Sequence, residues 1–221
     1  MKTALRALAL PALLGATLTV GGCNVSGPTV VGSGVAKSES REVGEFTRVE
    51  SAGSANVAIQ IGEKQSVVVE TDDNILPLID TKVTGDRLVI GSHESYSTRL
   101  GVKVTIVVPA LHEARLSGSG SIGVTGLAAQ AFEASVTGSG DIHLRGTSDS
   151  LNAAIAGSGS IDATELSAGA ADAHITGSGN IRIVATKSLG AEISGSGDVR
   201  YGGNPARVEK KVTGSGNVKP M

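Results

Sequence analysis

A tetrapeptide of the form Ser/Thr/Ala-Gly-Ser-Gly returns six times in the second half of this chain. Its first glycine is Gly118, Gly138, Gly157, Gly177, Gly195 and Gly214, and its second is Gly120, Gly140, Gly159, Gly179, Gly197 and Gly216. The first glycines are 20, 19, 20, 18 and 19 residues apart. So steady a period over about a hundred residues is the signature of a solenoid, in which each repeat buries its apolar face only against its neighbours.

Columns read relative to the first glycine give each repeat its shape. Two residues before it stand Leu116, Val136, Ile155, Ile175, Ile193 and Val212, and four before stand Ala114, Ala134, Ala153, Ala173, Ala191 and Lys210. Four after it stand Ile122, Ile142, Ile161, Ile181, Val199 and Val218, and six after stand Val124, Leu144, Ala163, Ile183, Tyr201 and Pro220. Apolar residues thus alternate on both sides of the glycines, so each repeat is two short strands joined at Gly-Ser-Gly. The columns between them are polar and mixed (Ser121, Asp141, Ser160, Asn180, Asp198 and Asn217 after the corner), which assigns them to solvent. Six parallel rungs about 4.8 Å apart make a rod about 29 Å long. Glycine suits a corner that needs positive φ or close backbone approach. All twelve glycines are therefore read as a structural turn motif. The last repeat replaces alanine by Lys210 and ends in Lys219-Pro220, as an uncovered edge requires.

Composition closes off other classes. The 31 glycines have no every-third-residue period, which excludes collagen. Hydrophobic residues make up 40% of the chain and aromatics only 2%, so the chain has the material for an aliphatic core and is not a disordered one. Nineteen basic against 21 acidic residues, with no basic run, leave no electrostatic footprint for nucleic acid.

Residues 1–22 have the parts of a secretory signal: basic Lys2 and Arg6, an apolar run from Ala7 to Val20, and small residues before Cys23. The apolar run is too short to span about 30 Å of hydrocarbon as a helix. Val20-Gly21-Gly22-Cys23 resembles the lipobox of bacterial lipoproteins, which implies an acylated Cys23 as the mature N-terminus. A lone cysteine has no intramolecular disulfide partner, so lipidation accounts for it better than oxidation does. Asn24 in place of Asp resembles the outer-membrane sorting signal. Residues 23–42 then read as the lipidated cysteine and a flexible Gly/Ser-containing tether, and 43–221 as one β-solenoid domain.

Within that domain, 112–221 hold the six regular repeats and 43–111 less regular rungs. The latter carry strand patterns at Asn56–Ile61, Ser66–Thr71, Arg87–Ile90 and Val102–Val108, a hairpin turn at Thr84-Gly85-Asp86, a short packed turn or single helical turn at Ile75–Ile79 and a loop at His93–Arg99. Ala52-Gly53-Ser54-Ala55 is a degenerate copy of the corner.

The order Phe46, Gly53-Ser54-Ala55-Asn56-Val57, Asp72-Asp73-Asn74-Ile75-Leu76, Leu88-Val89-Ile90, Pro109-Ala110-Leu111 and then Ser117-Gly118-Ser119-Gly120 resembles the bacterial head GIN domain, or autotransporter-adhesin domain, over about residues 43–218. The resemblance implies a right-handed, pectin-lyase-like β-helix in exported, often lipid-anchored proteins, with adhesion as the suggested role and no catalytic residues.

Other motifs are weaker. Gly118-Ser-Gly120-Ser-Ile-Gly123 spells a dinucleotide fingerprint, but no helix pattern follows it. Calcium-binding β-rolls repeat every nine residues or so, and here only Asp141 and Asp198 fill the acidic position. His143 and His174 alternate with inward isoleucines and so point outward, on different strands. The corner serines share one column, whereas a nucleophile is singular. No catalytic, metal-binding or cofactor residue is assigned. The expectation is an adhesion or interaction module of the cell envelope, held on the membrane by Cys23, with an envelope protein or glycan as partner. A structural envelope protein without a ligand and, by fold analogy alone, a polysaccharide-acting enzyme are the alternatives.

Overall fold

The computed structural model describes residues 29–221, so the leader and Cys23 lie outside the described residues. The body is a parallel β-solenoid with two broad faces that meet at the Gly-Ser-Gly corner. The leading face runs up to the corner and the trailing face away from it. The columns read from the sequence are in register, save for a register shift after His143 that interrupts the outermost one between Leu144 and Ala163. Ala114, Ala134, Ala153, Ala173, Ala191 and Lys210 are successive partners on the leading face. Ile122, Ile142, Ile161, Ile181, Val199 and Val218 are partners on the trailing face. Both ladders turn inward, and all but their last members are buried in one continuous aliphatic core. Among the described residues the only helical element is a single 3-10 turn, Leu76–Leu78.

The corner shows why glycine repeats. Gly118, Gly138, Gly157, Gly177, Gly195 and Gly214 all have φ between 118° and 136°. The Gly138 carbonyl accepts from two amides of the next rung, Ser158 at 2.9 Å and Gly159 at 3.1 Å. The rungs are thereby drawn so close that a Cβ on Gly157 would stand 2.3 Å from that same oxygen. A Cβ on Gly159 would meet the Gly140 carbonyl at 2.2 Å. The degenerate copy proves the rule: Ala55 takes the place of the second glycine in the first rung, where strand Lys103–Val108 lies beneath and no further Gly-Ser-Gly corner does.

Below that first rung the winding changes. Strands Arg87–Ser92 and Lys103–Val108 still pair in parallel with Arg48–Gly53 and Asn56–Ile61 above them. Each is then closed off by an antiparallel strand: Ile79–Thr84 against Arg87–Ser92, turning at Gly85, and Ser66–Asp72 against Lys103–Val108. Residues 43–111 thus hold the first rung, a second parallel pair of strands beneath it, and the antiparallel strands that close the end.

The expected flexible tether is shorter than 23–42. Val30–Val31 pairs with Tyr96–Ser97, inside the segment read as a loop, and Ala36–Ser40 forms an antiparallel edge on Ser66–Asp72. All five residues of Ala36–Ser40 are exposed, so this strand has no apolar alternation to announce it. Its entry is held by the Asp72-Asp73-Asn74 turn. Asp72, fully buried, accepts from the Gly34 amide at 2.6 Å and the Thr98 hydroxyl at 2.5 Å. Ser33 donates to Asp73 at 2.5 Å, and Asn74 donates to the Val31 carbonyl at 2.8 Å. The Gly32 position has no room for a side chain, because a Cβ there would lie 2.7 Å from the Asp72 carboxyl.

At the far end Lys210, in the inward alanine column, donates to the Val218 carbonyl at 2.9 Å and sits 5.3 Å from the Tyr201 ring centre. A charge aimed at the open end of the core discourages further strands from adding there.

Two expectations follow. Gly157→Ala forces a side chain into both positive φ and a 2.3 Å contact and should cost at least about 2 kcal/mol, whereas Gly123→Ala, with open space around it, should shift the melting midpoint little. The Asp72 carboxyl is held down at about 2, first by the Thr98 hydroxyl, against the opposing effect of burial, and then by the amides of Gly34, Leu100 and Arg99. Its stabilisation is therefore full above the ordinary carboxylate range near 4 and is lost as pH falls through about 2. Thermal melts from pH 7 to 2 should show that acid-dependent component in the wild type and not in Asp72→Asn.

Candidate polar ladder on the trailing face

Inward isoleucines leave the alternate positions of each trailing strand outside, and parallel stacking aligns them. The first outward column is Asn56, Ser121, Asp141, Ser160, Asn180, Asp198 and Asn217. Two residues further along each strand runs a second: Ala58, Gly123, His143, Asp162, Arg182, Arg200 and Lys219. Between and over these columns lies a groove of about 350 Å³, lined by Asp141, His143, Asp162, Arg182, Asp198 and Arg200. Toward the cap it continues past His143 into a hollow of about 420 Å³. Ala58 and Gly123 leave its floor almost bare, and Leu100, half exposed, forms its rim.

The ladder is ordered by its own contacts. Asp162 Oδ1 accepts from the Thr164 amide at 3.0 Å and hydroxyl at 2.7 Å, and its other oxygen faces Arg182 at 3.6 Å. Partial burial acts to raise the Asp162 pKa, but Thr164, Arg182 and His143 together hold it below the usual carboxylate value. Asp198 Oδ1 accepts from the Asn217 side chain and amide, both at 3.1 Å, which outweighs burial and lowers its pKa likewise. Ser121 donates to Asn56 at 2.9 Å. Both aspartates are therefore charged at neutral pH, and each keeps an oxygen free of these hydrogen bonds.

The leading face carries its charges differently. Glu113 is nearly buried under arginines from neighbouring strands and its own: Arg87 at 2.7 Å, Arg115 at 3.2 Å and Arg48 at 3.7 Å. The bond to Glu113 also raises the Arg87 pKa. These groups are consumed in one another and pin the cap to the first rungs. They make a fastening, not a binding surface.

The residues singled out in the sequence are not brought together. The twelve corner glycines stack along one edge, where the backbone of the next rung fills the space a ligand would need. Gly123 of the apparent dinucleotide fingerprint lies on a strand, facing the groove. The corner serines form an exposed column. His143 faces the trailing groove, while His174 is on the leading face, 3.9 Å from Glu192. Among the described residues the histidine ring contacts are to carboxylates, including His93 to Asp80 at 3.0 Å, with no serine hydroxyl bonded to an imidazole. No group of three His, Cys, Asp or Glu side chains converges as a metal site among the described residues. The second outward column went unremarked in the sequence, although the alternation that placed Asp141 and Asp198 outside places Asp162, Arg182 and Arg200 there too.

The family described as "Putative auto-transporter adhesin, head GIN domain" matches residues 45–205. None of the curated proteins matches the chain. Among solved structures, a "putative adhesin" from Bacteroides fragilis is 24% identical with a TM-score of 0.71, over 87% of this chain and 100% of its own. A "putative adhesin" from Parabacteroides distasonis gives 0.62 at 20% identity, over 88% and 100%. A "putative lipid binding protein" from the same organism gives 0.54 at 23%, again over 88% and 100%. These three likenesses establish the shared fold.

If Arg182 helps hold Asp162 ionised, Arg182→Ala should move the Asp162 titration upward toward the ordinary carboxylate value while leaving Asp72 unmoved. Carboxyl-detected NMR titration reads both groups in one experiment.

Proposed function

Because the chain belongs to the head GIN domain family, we propose that it is a non-catalytic, lipid-anchored module of the cell envelope that makes adhesive contact through the polar ladder. The observation that carries this reading is the ladder itself: charged and amide side chains in two aligned columns over a groove, on a rod whose cap-proximal charges on the leading face are locked into internal pairs. Such a surface offers many spaced hydrogen-bonding groups and no assembled nucleophile or acid–base pair, which suits binding rather than turnover.

Anchoring rests on the leader and on Val20-Gly21-Gly22-Cys23. No helix among the described residues is long and apolar enough to cross a membrane. An acylated Cys23 would supply the hold instead, each buried methylene adding about 0.8 kcal/mol. Asn24 supports the outer membrane as its address. The body begins at Val30, so seven residue steps separate it from the lipid, at most about 25 Å of extended chain. Because Val30 belongs to the cap, this reading has the cap beside the bilayer and the Lys210 end away from it.

Cys23→Ser should move the protein from the membrane to the soluble fraction and remove its lipid mass. Asp162→Ala/Arg182→Ala/Arg200→Ala should lower the attachment of expressing cells to envelope fractions or coated surfaces severalfold, at unchanged surface level and melting midpoint. Equal attachment by that variant would defeat the adhesive reading.

A further inference from the structure

Five large hydrophobic side chains stand exposed among the described residues, and they lie at the two ends of the rod. At the far end Val212 is the last member of an inward column, bare because no rung covers it, and Met221 continues the last strand along Tyr201. At the cap Val31, Val35 and Leu100 have no such origin. They are 60%, 59% and 51% exposed, and none of them belongs to a core column; beside Val31 it is Val30 that packs inward. One turn gathers the three. Asn74 donates to the Val31 carbonyl at 2.8 Å, the Asp73 amide to the Val35 carbonyl at 2.9 Å, and the Leu100 amide to Asp72 at 3.4 Å. Scattered exposed aliphatics are ordinary, but three held on one turn form a patch that stabilises nothing within the protein.

We propose, resting on the lipid-anchored reading above, that this patch docks the cap onto the phospholipid bilayer that carries the anchor. Position along the chain selects that occupant. Seven residue steps, at most about 25 Å, join Cys23 to Val30, and the patch begins at the next residue. Charge agrees with a headgroup surface. Arg99 and Lys37 are exposed beside the aliphatics, the Arg99 stem passing Gly34, where a Cβ would lie 3.5 Å from it. The carboxylates of the turn are engaged inside the cap, Asp72 by the Gly34 amide and Thr98 and Asp73 by Ser33, and Glu94, earlier in the loop, offsets one cation.

Three aliphatic side chains and two cations hold a free protein to a membrane only weakly, since binding scales with apolar area plus attraction to anionic lipid. On a short tether the same patch meets the bilayer at an effective concentration on the order of millimolar, so a weak contact is enough. Docking gives the rod a fixed end instead of a swinging one. Leu100 also rims the hollow at the start of the trailing groove, so a docked cap sets that end of the ladder at the headgroups and lets its columns run outward from there.

Cys23 is the only cysteine, so the chain from residue 23 onward can be coupled through it to maleimide lipid in vesicles of phosphatidylcholine and phosphatidylglycerol. Docking is then read whether or not cells acylate that thiol. The chain has no tryptophan, so an introduced one is the sole reporter. Emission from Leu100→Trp and from Val35→Trp should shift to the blue and be quenched by acyl-brominated lipid at least about threefold more than that from Val212→Trp, and less so without phosphatidylglycerol. Adding Val31→Ser/Arg99→Glu to Leu100→Trp should bring its quenching down to the Val212→Trp level, with unchanged melting. Equal quenching at Leu100 and Val212, or quenching that survives Val31→Ser/Arg99→Glu, overturns docking. So does a blue shift of Leu100→Trp in the uncoupled chain that vanishes when residues 24–28 are removed, since that segment would then be the cover. If docking falls while Cys23→Ser still releases the protein from cell membranes, the anchor stands and the cap merely hangs beside the bilayer.

Discussion

Everything in this fold hangs on one contact: a glycine carbonyl that receives two amide hydrogens from the corner of the rung above. The two bonds at Gly138, 2.9 and 3.1 Å, recur with little change at Gly53, Gly118 and Gly195. They carry the β-ladder around a bend where backbone groups would otherwise need water. Closeness is the consequence. With a carbonyl 2.3 Å from where a Cβ would stand, only glycine can occupy the place, and each rung imposes that demand on the next. The repeat in the sequence is the trace of this handing-on. Ala55, with no such corner beneath, shows where the demand ceases.

A frame maintained by backbone and by inward aliphatic columns leaves the outward columns free to vary. The two faces use that freedom in opposite ways. On the leading face three arginines close over Glu113, and their charges are satisfied within the protein. On the trailing face Asp162 and Asp198 are steadied by Thr164 and Asn217 through one oxygen each; the second oxygen of Asp162 faces Arg182 at 3.6 Å and that of Asp198 is left over. A binding surface needs groups that are ordered yet still able to bond. The trailing face meets that condition.

The sequence was most legible where structure repeats. The inward columns, the corner glycines, the hairpin at Gly85, the turn at Leu76 and the charge that Lys210 brings to the alanine column could all be read because each follows from alternation or turn chemistry. Ala36–Ser40 could not, since an edge strand that buries nothing carries no apolar period. The same holds for Gly32-Ser33-Gly34, which looked like linker. Its glycines answer to a carboxylate some forty residues away, and no local rule connects it to Asp72. The ladder stood halfway: its first column was seen, but its chemistry depends on pairs across rungs such as Asp162 and Arg182, and those appear only when the register is known.

A rod built by repetition has a standing hazard, because each end offers unpaired strands that could add another rung or another molecule. Here the ends are closed by unlike means. The cap turns its strands antiparallel and lays the exposed, charged Ala36–Ser40 along one edge, fastened through Asp72. The far end bends Lys210 inward, onto the Val218 carbonyl and the Tyr201 ring. End-to-end stacking is thus resisted at both poles, although the repeat itself would favour it. What remains for contact is the sides, and of these the leading face has its cap-proximal charges locked in place. The trailing face, open along its length, is the surface that this architecture leaves for a partner.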